Sequence, residues 1–469
     1  MTKPKITSIF MLAMINVAAM CNIANLPLTA TYGFSSLFYY LLGAILFFIP
    51  LALVSAELAT GWPQTGGVYI WVREALGEKY GFLAIWLQWV ENVIWYPTIL
   101  SFMAITIAYI FNPDLVQNKA YIITTTLVIF WGVTFLNFFG IKISGWISTL
   151  CVVGGTIFPM LLFIGLGSFW LFLGHPSQIE FSWKTFVPPM NEFKYYSLFA
   201  GLLFAFSGLE MSAVHAREVE HPQKNYPKAI LLSTIMIFFL ISFSALSMAV
   251  VLPVSKIAFG TGPIAALSSF LSVFNLNWAL PIIACCIAFG SFGMVSTWII
   301  GPSKGIYATA HNGELPPFLQ KTNKRSVPVV ILICQALIVT VLSFAFFLMP
   351  TISSSYALLL FLTAQLYLVM YVLMFLSAII LRYKYKDVPR AFKVPFGNIG
   401  MWIVASSGIL ISIFALITGF IPPSDLKQDH EKMTYVIFLL VGVLVFCAIP
   451  IIIHKCRKPS WHLSEKKEL

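Results

Sequence analysis

Three carboxylates fall within or at the edge of long apolar runs of this chain: Glu57, Glu91 and Glu210. Glu210 stands in Phe204-Ala205-Phe206-Ser207-Gly208-Leu209-Glu210-Met211-Ser212-Ala213, inside an apolar stretch from about 195 to 216. A charged group at bilayer depth costs roughly 2.5–3.5 kcal/mol even on insertion scales, so it is retained where it faces a bundle interior or a water-filled path. The small residues around Glu210 favour a break in the helix. An acid at such a break, protonated in one conformation and ionised in another, is suited to gating or proton coupling. Glu91 lies in Trp86-Leu87-Gln88-Trp89-Val90-Glu91-Asn92-Val93-Ile94-Trp95-Tyr96-Pro97, where Pro97 can kink the helix. It reads equally as a protonated carboxyl bonded to a neighbouring helix and as a pathway acid that meets a proton or a substrate amine. Glu57, just before Gly61-Trp62-Pro63, reads as a structural group that orients a loop at the cytoplasmic face. No Lys or Arg lies mid-span to pair with any of the three.

The first apolar run has its own irregularity, Asn16-Val17-Ala18-Ala19-Met20-Cys21-Asn22-Ile23-Ala24-Asn25-Leu26-Pro27. Three asparagines and a proline are costly against lipid but useful beside a cavity, where unwound backbone can bind a ligand. The main chain of Ala18, Ala19, Met20 and Cys21, with that of Ser207 and Gly208, is therefore the expected substrate contact. Interrupted segments at corresponding positions, five spans apart, point to an inverted-repeat transporter site. Tyr367 and Tyr371 are one helical turn apart and share a face. Trp298 follows a run of small residues, Gly290-Ser291-Phe292-Gly293-Met294-Val295-Ser296-Thr297. Packing alone accounts for each of these aromatics as readily as a role in the path.

Enzyme chemistry finds little support. The seven histidines sit near span ends or in loops, without a Cys, Asp or Glu at metal-ligand spacing. The seven cysteines lie mostly inside apolar runs, as small hydrophobic residues. There is no phosphate-binding loop for ATP-driven pumping. No metal, cofactor or catalytic group is expected.

The elements that position these residues follow from composition. Of 469 residues, 59% are hydrophobic and 10% charged, against about 25% charged in soluble domains. Mean hydropathy is +0.90. The reading is an all-α polytopic membrane protein with twelve transmembrane helices. They fall near 7–28, 34–59, 81–111, 120–140, 144–173, 195–216, 228–252, 278–309, 327–349, 354–382, 399–421 and 434–454. The formal charge of +11 forms no patch for nucleic acid. Six basic residues (Lys119, Lys184, Lys194, Lys256, Lys427 and Lys432) fall on one side and the other 22 of the 28 Lys and Arg on the opposite side. The basic side is cytoplasmic, so both termini are expected there. Residues 68–76 read as a short amphipathic helix at that face.

In Ala56-Glu57-Leu58-Ala59-Thr60 with Gly66-Gly67-Val68-Tyr69-Ile70-Trp71-Val72, in the segment 206–213, in Glu218-Val219-Glu220-His221-Pro222-Gln223-Lys224-Asn225-Tyr226-Pro227 and in Trp298-Ile299-Ile300-Gly301-Pro302-Ser303-Lys304-Gly305, the chain resembles the amino acid–polyamine–organocation superfamily. It is similar more closely to the bacterial glutamate/GABA antiporters, over about residues 6–453. The resemblance implies a 5+5 inverted repeat with discontinuous helices 1 and 6 plus two C-terminal helices, in one transporter domain spanning 1–469. Repeat one would cover about 7–173, repeat two about 195–382, helices 11–12 about 399–454, and a short cytoplasmic tail 455–469. It implies amino acid antiport by alternating access in a bacterial inner membrane, with an amino acid or amine as substrate and protons as a coupled ion. A cationic amino acid or polyamine transporter is the alternative. Glu210 matches the gating acid of the sixth helix, and Trp298, Tyr367 and Tyr371 match aromatics lining the path. Met294 stands where those antiporters carry an acid, and Glu91 where they carry a neutral residue. The tail is shorter than the one that closes their cytoplasmic mouth.

Overall fold

The computed structural model describes residues 9–64, 66–139, 151–188, 196, 199–211, 222–325, 327–349, 351–422, 426 and 428–461. Among these, ten helices are long and apolar enough to cross a bilayer. The pair Ile9–Met20 and Ile23–Ala30, bent by 41°, makes an eleventh span. The region expected to form the sixth span appears as a short apolar helix, Phe199–Met211, and its 212–216 end lies outside the described residues. So do residues 140–150, which hold the start of the fifth expected span, and the Glu218–His221 motif.

The helices used below are α1 (Ile9–Met20), α2 (Leu26–Ala30), α3 (Ser35–Gly61), α4 (Val68–Leu76), α5 (Glu78–Phe111), α6 (Lys119–Phe138), α7 (Val153–Phe172), α8 (Phe199–Ala205) and α9 (Pro222–Val251). They continue with α10 (Gly262–Val273), α11 (Leu280–His311), α12 (Val329–Ser343), α13 (Ile352–Lys384), α14 (Gly397–Thr418) and α15 (Asp429–Lys455). Some of their starts show side-chain capping. Asn118 accepts the Tyr121 N–H ahead of α6, and Thr351 with Ser354 forms a reciprocal capping box on α13.

Helices α5 and α13 form the centre of the bundle and are buried along most of their length, whereas α15 buries only Tyr435, Leu439 and Pro450 fully, as suits a helix at the lipid-facing rim. Helix α11 crosses α7 at Gly155 and Gly290. A Cβ built on Gly155 would lie 2.3 Å from the Gly290 nitrogen, so the two backbones touch where no side chain fits.

Residues 253–277, between two expected spans, contain α10. Its 12 residues are too short for the roughly 30 Å hydrocarbon core, so it lies against the bundle instead of crossing it. Ile264, Leu267 and Phe270 are buried there. The amphipathic α4 forms as expected, with Tyr69 to Val72 buried and Arg73 to Leu76 half-buried.

Glu57, expected to orient a loop at the cytoplasmic face, is held in an ion-paired cluster with such a loop. Its Oε2 accepts from Arg382 Nη2 at 2.9 Å and from the Val394 N–H at 2.7 Å. Arg382 Nε lies 2.9 Å from Oε1 without hydrogen-bond alignment, and Arg390 Nε lies 3.6 Å away. Both arginines come from the end of α13 and the loop after it, more than 300 residues distant, so local sequence carried no sign of the pairing. The cluster fixes that loop to the end of α3.

Candidate substrate site between two broken helices

Helix α1 ends at Met20, and the Cys21 N–H makes the last helical bond, to the Val17 carbonyl at 2.9 Å. Asn22 then takes an extended conformation and its Oδ1 caps the Ala24 N–H at 3.0 Å, opening the tight turn Ile23–Asn25. Pro27 lacks an N–H and fits the first turn of α2. The Ala19 carbonyl, whose helical partner would be the Ile23 N–H, accepts from Trp298 Nε1 at 3.1 Å. Trp298 on α11 is thereby tied to the break itself.

The second break follows α8. The N–H groups of Phe206 and Ser207 bond three residues back, to Leu203 and Phe204, so the helix tightens and stops. Gly208 has φ +119°, which a side chain would resist. A Cβ there would also meet Met20 Cγ at 3.2 Å and Trp298 Cζ2 at 3.3 Å. The glycine is what lets the two breaks approach each other. Its N–H donates to the Tyr371 hydroxyl at 2.8 Å.

Glu210 follows the break and is 2% exposed. Its Oε2 accepts from Tyr371 at 2.8 Å, and its Oε1 accepts from Tyr367 and from Gln88 Nε2, the latter at 3.1 Å. The two tyrosine rings lie 4.7 Å apart, tilted by 32°, one turn apart on α13. Three neutral donors converge on one carboxylate, and among the described residues no cation is bonded to it. Its donors come from α5 and α13, the two most central helices.

Glu91, one turn beyond Gln88 on α5, is buried as well. Its partner is its neighbour: Asn92 Nδ2 donates to Glu91 Oε1 and also to the Gln88 carbonyl at 2.9 Å. Gln88 therefore reaches toward both acids, its side chain to Glu210 and its carbonyl, through Asn92, to Glu91.

A small cavity lies between the breaks. It is lined by Ala19, Met20, Asn22 and Asn25 from the first break, Phe204 and Ser207 from the second, and Glu91, Asn92, Trp95, Met294, Trp298 and Tyr367. Of the six main-chain positions expected at the site, Ala19, Met20 and Ser207 line this space; Ala18, Cys21 and Gly208 do not. Glu91, Met294, Trp298 and Tyr367 line it, while Glu210 and Tyr371 are bonded to its wall without lining it. Asn92, Trp95 and Gln88 were quoted in the sequence only as surroundings of Glu91. Their spacing of three and four residues, which puts 88, 91, 92 and 95 on one face, was the available signal.

A fourth buried acid, Glu314, follows the C-terminal end of α11. It accepts from Arg457 Nη1 at 2.7 Å and faces His454 Nδ1 at 2.7 Å, while Arg457 also reaches Glu78 at 2.7 Å. These bonds hold the end of α15 to the starts and ends of its neighbours, away from the cavity.

The sequence profile of the amino acid permeases matches residues 6–444. An uncharacterized transporter of Legionella pneumophila is 43% identical, covering 95% of this chain and 96% of its own length. The glutamate/gamma-aminobutyrate antiporter of Lactococcus lactis subsp. lactis is 33% identical, covering 97% and 91%. A probable agmatine/putrescine antiporter of the same bacterium is 23% identical, covering 90% and 88%. This match along nearly the whole chain agrees with a multi-pass bundle interrupted at two helices around a buried cavity. The chain belongs to the amino acid permease family, membrane transporters and not enzymes.

Proposed function

We propose that this protein exchanges amino acids of the glutamate/GABA type across a bacterial inner membrane by alternating access. The observation that carries this reading is the cavity between the two breaks, with Glu210 hydrogen-bonded at the second one. Unwound backbone beside a buried cavity can hold the charged ends of a zwitterion where intact helices cannot. The whole chain acts as one transporter domain of two inverted five-helix repeats followed by α14 and α15, with both termini in the cytoplasm. The relatives from Lactococcus support the exchange mode.

Glu210 is the gating or proton-coupling group in this scheme. Protonating it would change its bonds to Tyr367 and Tyr371, and through Tyr371 it is connected to Gly208. The helix break and the acid thus respond together. Trp298, Tyr367 and Met294 form the walls past which the substrate moves.

The test is exchange in proteoliposomes preloaded with one amino acid and offered a labelled panel at about pH 5.5 and 7.5. Glutamate and GABA exchange without diamine uptake is expected. Uptake of putrescine or arginine alone would sink the reading. That second reading, a cationic amino acid or polyamine transporter, is favoured by one observation: among the described residues the cavity wall holds Glu91 and no Lys, Arg or His.

A further inference from the structure

The cavity carries a polar pair that the exchange reading leaves unused. Asn22 is 7% exposed, lines the cavity, and its Nδ2 has no hydrogen-bond partner among the described residues. The amide cannot be turned round without loss, because Oδ1 is committed to the Ala24 N–H and that cap starts the turn after the break. The donor is therefore the end of the amide that is left over. A buried donor left in this position calls for an acceptor, which the ligand supplies. Across the same cavity Glu91 offers the opposite chemistry. Asn92 holds one of its oxygens, and Asn92 is itself held by the Gln88 carbonyl, so the carboxylate is fixed in place. No cation among the lining residues neutralises it.

We infer that Asn22 and Glu91 are the specificity pair of this cavity, and that they select a compact amino acid of zero net charge. Asn22 Nδ2 donates to the substrate carboxylate, and the Glu91 carboxylate receives the substrate ammonium. A second carboxylate, as in glutamate, brings like charge against Glu91. A diamine satisfies Glu91 but sets a second ammonium against the Asn22 donor, which stays unpaired. Each rival thus fails at one member of the pair, and the zwitterion satisfies both. This inference rests on the amino acid exchange reading and narrows its substrate.

Competition against labelled GABA exchange in proteoliposomes, at about pH 7.5, tests it with unlabelled GABA, glutamate and putrescine. GABA is expected to compete at about tenfold lower concentration than either rival, the equivalent of one satisfied polar contact. Glu91→Gln should bring glutamate to within about threefold of GABA while weakening putrescine further. Asn22→Asp keeps the oxygen that caps Ala24 and removes the donor; GABA should weaken about tenfold and putrescine should gain. A wild-type order with glutamate or putrescine ahead of GABA overturns the inference. So do unchanged ratios of the three ligands' potencies in both variants when their unfolding temperatures match wild type. If a variant fails to fold, equilibrium binding of the three ligands to the purified wild-type chain decides the order instead. Exchange of no amino acid at all would refute the transport reading itself, a result distinct from exchange with the wrong order.

Discussion

Tyr371 joins Gly208 to Glu210: its hydroxyl accepts the Gly208 N–H at 2.8 Å and donates to Glu210 Oε2 at 2.8 Å. One side chain thus satisfies the backbone at the helix break and the acid two residues beyond it. The break cannot close into a helix, nor the acid change its protonation, without disturbing the same hydroxyl. Gly208 N–H, expected from sequence to face a substrate, is occupied by this bond.

Tyr371→Phe should leave a buried N–H and a buried carboxylate oxygen each short of a partner. A loss of about 1–3 kcal/mol per unsatisfied group is expected, with exchange slowed by roughly tenfold or more. Thermal unfolding in detergent and exchange rates in proteoliposomes measure the two effects. A variant indistinguishable from wild type in both would mean that the hydroxyl does not couple the break to the acid.

Glu210→Gln fixes the side chain in a neutral form resembling the protonated acid. If protonation of Glu210 drives transport, the rate at alkaline pH rises toward the acid-side value and the pH profile flattens. Exchange measured between about pH 5 and 8 reads this directly. An unchanged profile at normal expression removes Glu210 from the coupling role.

Glu57→Gln should be among the most damaging single changes away from the cavity. It leaves Arg382 and Arg390 buried beside a neutral amide, and breaking a buried pair in this way costs about 3–5 kcal/mol. The expected result is a lower unfolding temperature with substrate affinity preserved in whatever folded fraction remains. A large affinity change at wild-type stability would place Glu57 in transport instead.

Gly155→Ala should prevent α7 and α11 from reaching contact, because the added methyl would overlap the Gly290 backbone. The neighbouring Gly154→Ala meets nothing within 4 Å and serves as the control. Overpacking of this kind costs about 1–3 kcal/mol, read as a fall in unfolding temperature for the first variant alone. Equal behaviour of the two would contradict the close crossing.

Much of the architecture was legible because hydrophobic runs in a membrane protein must be about as long as the bilayer is thick. Most of the twelve expected spans appear as helices or a bent pair near their expected places. Helix α10 was missed because its apolar stretch is too short to register as a span and its start is marked by glycine and proline, Gly260, Gly262 and Pro263. The interruption of the first span showed in its asparagines and Pro27, since those residues have no place against lipid. Gly208 showed in the same way, as a small residue beside a membrane-buried acid.

What local sequence left open was partnership. Composition and spacing, read alone, determined that the chain is a helical membrane protein, that two of its spans are interrupted, and that Glu91 and Glu210 lie at depth. Only the tertiary structure decided that Glu57 meets two arginines from the far end of the chain. It also decided that Tyr367, Tyr371 and Gln88 converge on Glu210, and that Asn22, its amide nitrogen unpartnered, lines the same cavity as Glu91. The physical reason is the range of the forces. Burial of apolar surface depends on residue type and periodicity, which a sequence displays, whereas a hydrogen bond exists only when two groups separated along the chain are brought within about 3 Å by packing.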